Sequence, residues 1–142
     1  MNLRHITPDF AVAPQIGPAD LADLARLGFT TVICNRPDAE VGAHLQARAM
    51  RSAAAAAGLA FVDNPVLNGA MTMDMVIGQG AAVAEAPGPV LAYCRSGTRS
   101  TIVWALSQAG KLPTDEILNA AARAGYDIGG MRGQIDALAN AA

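Results

Sequence analysis

Residues 89–106 read PVLAYCRSGTRSTIVWAL. An apolar run, Pro89–Tyr93, ends at Cys94. A short loop with one glycine and two arginines follows, and a helical pattern resumes at Ser100. This is the signature of a buried strand that turns directly into a helix. Gly97 supplies the positive φ or close approach that so tight a curl needs. Curled backbone N–H groups form an anion-binding nest, and the start of a helix adds partial positive charge. Arg99 adds a planar fork that matches an oxyanion. A cysteine so placed is favoured as the thiolate, the form that attacks phosphorus or sulfane sulfur. The bland alternative is a buried, inert cysteine before a solvated turn. It leaves the order Cys94, Gly97, Arg99, helix without a cause. Cys94 and Arg99 are therefore read as the catalytic pair, and Arg95, Ser96, Gly97, Thr98 and Ser100 as the anion-binding loop.

Working outward, strand-like and helical runs alternate. Leu3–Ile6 and Ala11–Ala13 read as extended. ADLADLARL, residues 19–27, is helical and is stopped by Gly28. Phe29–Cys34 is rich in β-branched residues and reads as a buried strand. Glu40–Ala57 reads as one long helix ended by Gly58, and Leu59–Val62 as a short strand. Thr72 caps a helix over Met73–Ala86, weakened by Gly78 and Gly80. Further helices are expected over Ser100–Ala109, after a Thr114 cap, and over Met131–Ala139. The expectation is one α/β domain over residues 1–142. It has a mostly parallel central sheet of four to five strands and helices on both faces. Sites in such sheets lie beyond the carboxyl ends of strands. Here that selects the Cys94 loop and a second strand end, Cys34-Asn35-Arg36-Pro37-Asp38.

Composition narrows the classes. Hydrophobic residues make up 52% and charged residues 15%, which fits a packed core rather than a disordered chain. A net charge of −2 argues against a nucleic-acid footprint. The longest apolar stretch, about Ala53–Val62, is too short to cross a bilayer, so no membrane partner is expected. MNLRHITPDF has no apolar leader core, and two cysteines make no disulfide framework, so a cytoplasmic setting is expected. No motif asks for a cofactor or a metal.

Other residues are weighed against plainer roles. Asn35, Arg36 and Asp38 could orient Arg99 or bind substrate, but their types also suit a turn. Cys34 could resolve a persulfide or disulfide with Cys94, although a cysteine in VIC is more often core. His5 and His44 need no catalytic role. A phosphatase would need an acid for the leaving oxygen, and Asp63 and Asp74 are the candidates. Neither carries a clear acid-loop pattern, and Asp74 also suits the first turn of a helix.

Cys94-Arg95-Ser96-Gly97-Thr98-Arg99-Ser100 resembles the loop of cysteine phosphatases and of rhodaneses. Four residues separate Cys94 from Arg99. Tyrosine and dual-specificity phosphatases have five, usually after a His where Tyr93 stands here. Rhodanese-like sulfurtransferases have four. With ICNRPDAE (residues 33–40) and the helix before it, the chain is similar to the phosphatase-like domain of β-lactamase-hydrolase-like proteins, a family also labelled sulfur transferase. The resemblance runs from about Ile6 to Asp136. It implies a dual-specificity-phosphatase-like fold and a link to persulfide dioxygenases as partners.

The loop length favours sulfur transfer. Cys94 would take sulfane sulfur from a small anionic donor, a persulfide or thiosulfate, and pass it as a persulfide to an acceptor thiol. The alternative is a phosphatase that acts on a phosphate ester through a Cys94 phosphocysteine. A third reading is a non-catalytic module that senses sulfide or redox state.

Overall fold

The computed structural model describes residues 1–141. Five strands form one sheet: β1 (Arg4–Thr7), β2 (Phe10–Ala13), β3 (Thr31–Cys34), β4 (Ala60–Asp63) and β5 (Val90–Tyr93), in the order β1-β2-β5-β3-β4. Only the β1–β2 pair is antiparallel; the other pairings are parallel. Six helices cover it: α1 (Asp20–Arg26), α2 (Ala47–Ala56), α3 (Met73–Glu85), α4 (Thr98–Ser107), α5 (Thr114–Arg123) and α6 (Arg132–Ala141). None is long and apolar enough to cross a membrane.

The central strands are buried throughout and almost wholly apolar because both faces are covered. Successive side chains go to opposite cores. Phe10, Val12, Ile33, Val90 and Ala92 pack with Trp104 of α4, Ile117 of α5 and Ile135 of α6. Ala11, Ala13, Val32, Cys34, Leu91 and Tyr93 pack with Leu21 and Leu24 of α1 and Met50 of α2. β5 lies at the centre, between β2 and β3. The chain leaves β3 toward α2 on one face and leaves β5 toward α4 on the other. The crevice between those two strand ends is a topological switch point.

The long helix expected over Glu40–Ala57 is broken. Asp38–Glu40 and Ala43–Leu45 form single 3₁₀ turns, and the α-helix begins only at Ala47. Gly42 and Gln46 are extended, with ψ near 160°. The Asp38 carboxylate accepts from the Ala47 backbone N–H at 2.8 Å, so it satisfies a free donor at the start of α2. His44 accordingly sits on a turn, not a helix. Thr72 does cap α3, its hydroxyl accepting from Met75 N. Gly80 lets α3 approach α4, since a Cβ there would lie 3.3 Å from Ser107 Cβ. Thr114 does not cap α5. It is the first helical residue after Pro113, and its hydroxyl donates to Asp136 of α6.

Phe10 and Trp104 stack with ring centroids 6.1 Å apart and tie the sheet to α4. Phe10→Ala should cost about 3–5 kcal/mol, seen as a lower urea midpoint at unchanged slope. An unmoved midpoint would show that this contact is not part of the stabilising core.

Candidate active site

β5 ends at Tyr93, and the next residue, Cys94, is fully buried. Gly97 takes φ 94° and starts α4, two residues earlier than the helical pattern suggests. Its backbone N–H donates to Cys94 Sγ at 3.1 Å. The Gly97 carbonyl is held by Thr101, whose backbone N–H and hydroxyl donate to it at 3.0 and 2.8 Å. Ser96 Oγ accepts from Thr98 N at 3.3 Å. The curl is therefore fixed by local bonds at both ends. Arg95 and Ser96 are exposed at its rim, while Ser100 is buried with no partner for its hydroxyl.

Arg99 is 8% exposed. Its Nη1 donates to Glu40 Oε2 at 2.8 Å and to the Val66 carbonyl at 2.7 Å, and its Nη2 donates to Glu40 Oε1 at 2.7 Å. This two-pronged pair fixes the plane of the guanidinium. Its pKa is pushed up chiefly by the hydrogen bond to Glu40, with Cys94 adding to the effect. Glu40 is also held by Arg36, whose Nε donates to Oε1 at 3.2 Å and whose Nη2 donates to the Glu40 carbonyl at 3.3 Å. Arg36 Nη1 reaches Gln15 at 3.3 Å, and Gln15 N donates to the Arg95 carbonyl. Arg36 thus orients Arg99 through Glu40.

Asn35 works from below. It is fully buried, and its amide donates to the Asn64 carbonyl at 2.9 Å and to Gln79 Oε1 at 2.7 Å. Its own carbonyl accepts from Val66 N. These bonds place the Val66 carbonyl that grips Arg99. Asp38 is spent on α2, as described above.

Cys34 faces the α1–α2 core beside Tyr93, and burial pushes its thiol pKa up. It forms no disulfide with Cys94. Asp63 pairs in register with Cys34, which pairs with Tyr93, so it lies two strands from β5. Burial first and Asp38 second raise its pKa, and Arg51 opposes them. Asp74 is exposed in the first turn of α3. The ion-paired group at Arg99 is thus Glu40, not either of these acids.

Glu40 and Tyr126 are the residues that sequence reasoning missed. Glu40 was hidden by its assignment to a helix. Pro37 and Gly42 on either side argue for a turn, and the Arg36–Glu40 spacing suits a pair across it. Tyr126, after α5, donates its hydroxyl to the Ser96 carbonyl at 2.9 Å. Nothing in its local pattern announces that contact.

The sequence matches the family described as "Beta-lactamase hydrolase-like protein, phosphatase-like domain" over residues 2–111. The chain belongs to this family. It is 31% identical over 131 residues to a β-lactamase hydrolase-like protein of Xylella fastidiosa, covering 91% of this chain but 30% of that relative. The chain therefore spans about a third of the length of such relatives. A solved structure of a candidate phosphatase from Neisseria meningitidis is 31% identical, covers 97% of this chain and 99% of its own, and superposes with a TM-score of 0.83. TpbA of P. aeruginosa, solved as a cysteine-to-serine variant with phosphotyrosine, shares the fold at 18% identity. Its TM-score is 0.69, over 99% of this chain and 89% of that one. The dual-specificity-phosphatase-like fold expected from the sequence is the fold observed.

The Arg99 guanidinium holds the Glu40 carboxyl below its ordinary value of 4.5. The stability this pair gives is complete above that value and is lost as pH falls through the lower folded-state value. At neutral pH Glu40→Gln should unfold at lower urea than wild type, and the two midpoints should converge below about pH 4.5. A gap that persists at low pH would assign the loss to packing instead.

Proposed function

We propose that the domain is a cysteine-dependent phosphoric monoester hydrolase, with Cys94 as nucleophile. The observation that carries this is the buried Arg99 guanidinium, fixed by Glu40 and the Val66 carbonyl beside Cys94. A preset cation at that point stabilises charge that develops on transferring oxygens without reorganising during the reaction. Cys94 Sγ attacks phosphorus as the ester P–O bond breaks. Arg99 and the first-turn N–H groups of α4 hold the equatorial oxygens. Water then cleaves the S–P bond, releasing inorganic phosphate and restoring the thiolate. Family membership and the phosphotyrosine complex of TpbA support this choice over the sulfur transfer favoured by loop length alone. Among the described residues the carboxylate paired with Arg99 is Glu40, which is held ionised, and neither Asp63 nor Asp74 is paired with Arg99. A good leaving group is therefore needed, and aryl phosphates should be turned over faster than alkyl phosphates.

p-Nitrophenyl phosphate is the first substrate to try. Hydrolysis should be blocked by vanadate and abolished in Cys94→Ser. Arg99→Lys, which cannot make the two-pronged contact, should lose on the order of a hundredfold. Full activity in Cys94→Ser would remove the proposal.

A second reading, sulfur transfer, is favoured by the four-residue spacing between Cys94 and Arg99. Sγ attacks the outer sulfur of thiosulfate, an S–S bond forms as another breaks, and sulfite leaves. An acceptor thiol then takes the sulfur from the Cys94 persulfide. Intact mass after exposure to thiosulfate or a persulfide separates the two. A gain of one sulfur atom that needs Cys94 and is removed by added thiol supports transfer, and an unchanged mass supports the hydrolase alone.

A further inference from the structure

We propose that Tyr126 is a positioning residue of the Cys94 site, acting through the Ser96–Gly97 peptide. The inference rests on Cys94 being the nucleophile, which both readings above share. The Tyr126 hydroxyl donates to the Ser96 carbonyl at 2.9 Å, and the Gly97 N–H donates to Cys94 Sγ at 3.1 Å. That carbonyl and that N–H belong to one planar peptide and point in opposite directions. The hydroxyl, the peptide and the sulfur therefore form a single hydrogen-bond chain. Each bond in such a chain polarises the next. A donor to sulfur gains strength when the sulfur is ionised.

The chain also needs the peptide to keep one orientation. Gly97 at φ 94° has no side chain to resist a flip of the preceding peptide. Tyr126 supplies the restraint, and glycine is the residue that admits it: a Cβ at Gly97 would lie 2.1 Å from the Tyr126 hydroxyl. The tyrosine is itself built in. The chain turns just past α5 at Gly125, φ 99°, Tyr126 N donates to the Ala121 carbonyl, and Arg4 of β1 donates to the Ala124 carbonyl at 3.2 Å. Burial raises the Tyr126 pKa, with Arg4 opposing and Cys94 reinforcing the shift, so the hydroxyl remains a donor at neutral pH. Tyr126 lies beyond residues 2–111, the span matched to the family.

Tyr126→Phe keeps the ring and removes the donor. The Gly97 amide proton, followed by NMR in labelled protein, should move upfield. Alkylation of Cys94 by iodoacetamide at fixed neutral pH, separated from Cys34 by peptide mass, should slow roughly three- to tenfold. The thermal midpoint should hold within a few degrees, and KM for aryl phosphate should be kept while kcat falls. Alkylation needs no substrate. A slowed alkylation in a protein that turns over neither phosphate nor thiosulfate would uphold this inference while the functional readings fail. An unmoved Gly97 amide with an unslowed alkylation would overturn it.

Discussion

The site hangs on one ion pair. Arg99 comes from the first turn of α4 and Glu40 from the turn after β3, on opposite sides of the switch point at the centre of the sheet. A buried guanidinium without a partner would be strongly destabilising, so the chain between β3 and α2 must keep Glu40 where it is. That demand explains the local irregularities around it. The helix cannot start at Glu40. Asp38 is drawn to Ala47, Arg36 braces the carboxylate from the other side, and the Asn35–Gln79–Asn64 amides hold the segment that supplies the Val66 carbonyl. In return the guanidinium is fixed next to Cys94 before any ligand arrives, which is the arrangement that electrostatic catalysis requires.

Much of this was legible from residues alone. The strand, curl and helix around Cys94 are encoded locally, by an apolar run, a glycine and a renewed helical pattern, so their order could be read without tertiary information. The three central strands, β2, β5 and β3, were found because burial on both faces makes them nearly continuous apolar runs. The helices around the sheet were found because glycines such as Gly28 and Gly58 stop them in a left-handed conformation.

What was not legible depends on long-range contacts. Glu40 lies 59 residues from Arg99 in sequence and Tyr126 30 residues from Ser96. No periodicity links either pair. The good helix formers begin only at Ala47, past Gly42 and Gln46, so Glu40 was wrongly joined to a helix that starts after its turn. The contact with Ala47 decides the role of Asp38, which could have oriented Arg99, bound substrate or simply served a turn, and which serves a helix end. Loop length favoured sulfur chemistry, whereas the family and the fold favour phosphoryl chemistry. One loop geometry is compatible with both, because each asks for a nucleophilic sulfur beside an anion cradle.

The helices beyond the family match have a consequence for where this protein can be cut or joined. Ile117, Ala120 and Ala121 of α5 and Ile135 of α6 are interior to the same cluster as Phe10, Ile33 and Trp104. The Cys94 loop is only the chemically visible part of a larger mechanical unit. A fragment trimmed to residues 2–111 would carry every motif and yet expose one whole face of its sheet-facing helix to water. The smallest portable version of this domain is therefore set by the closure of its core, which takes in α5 and α6.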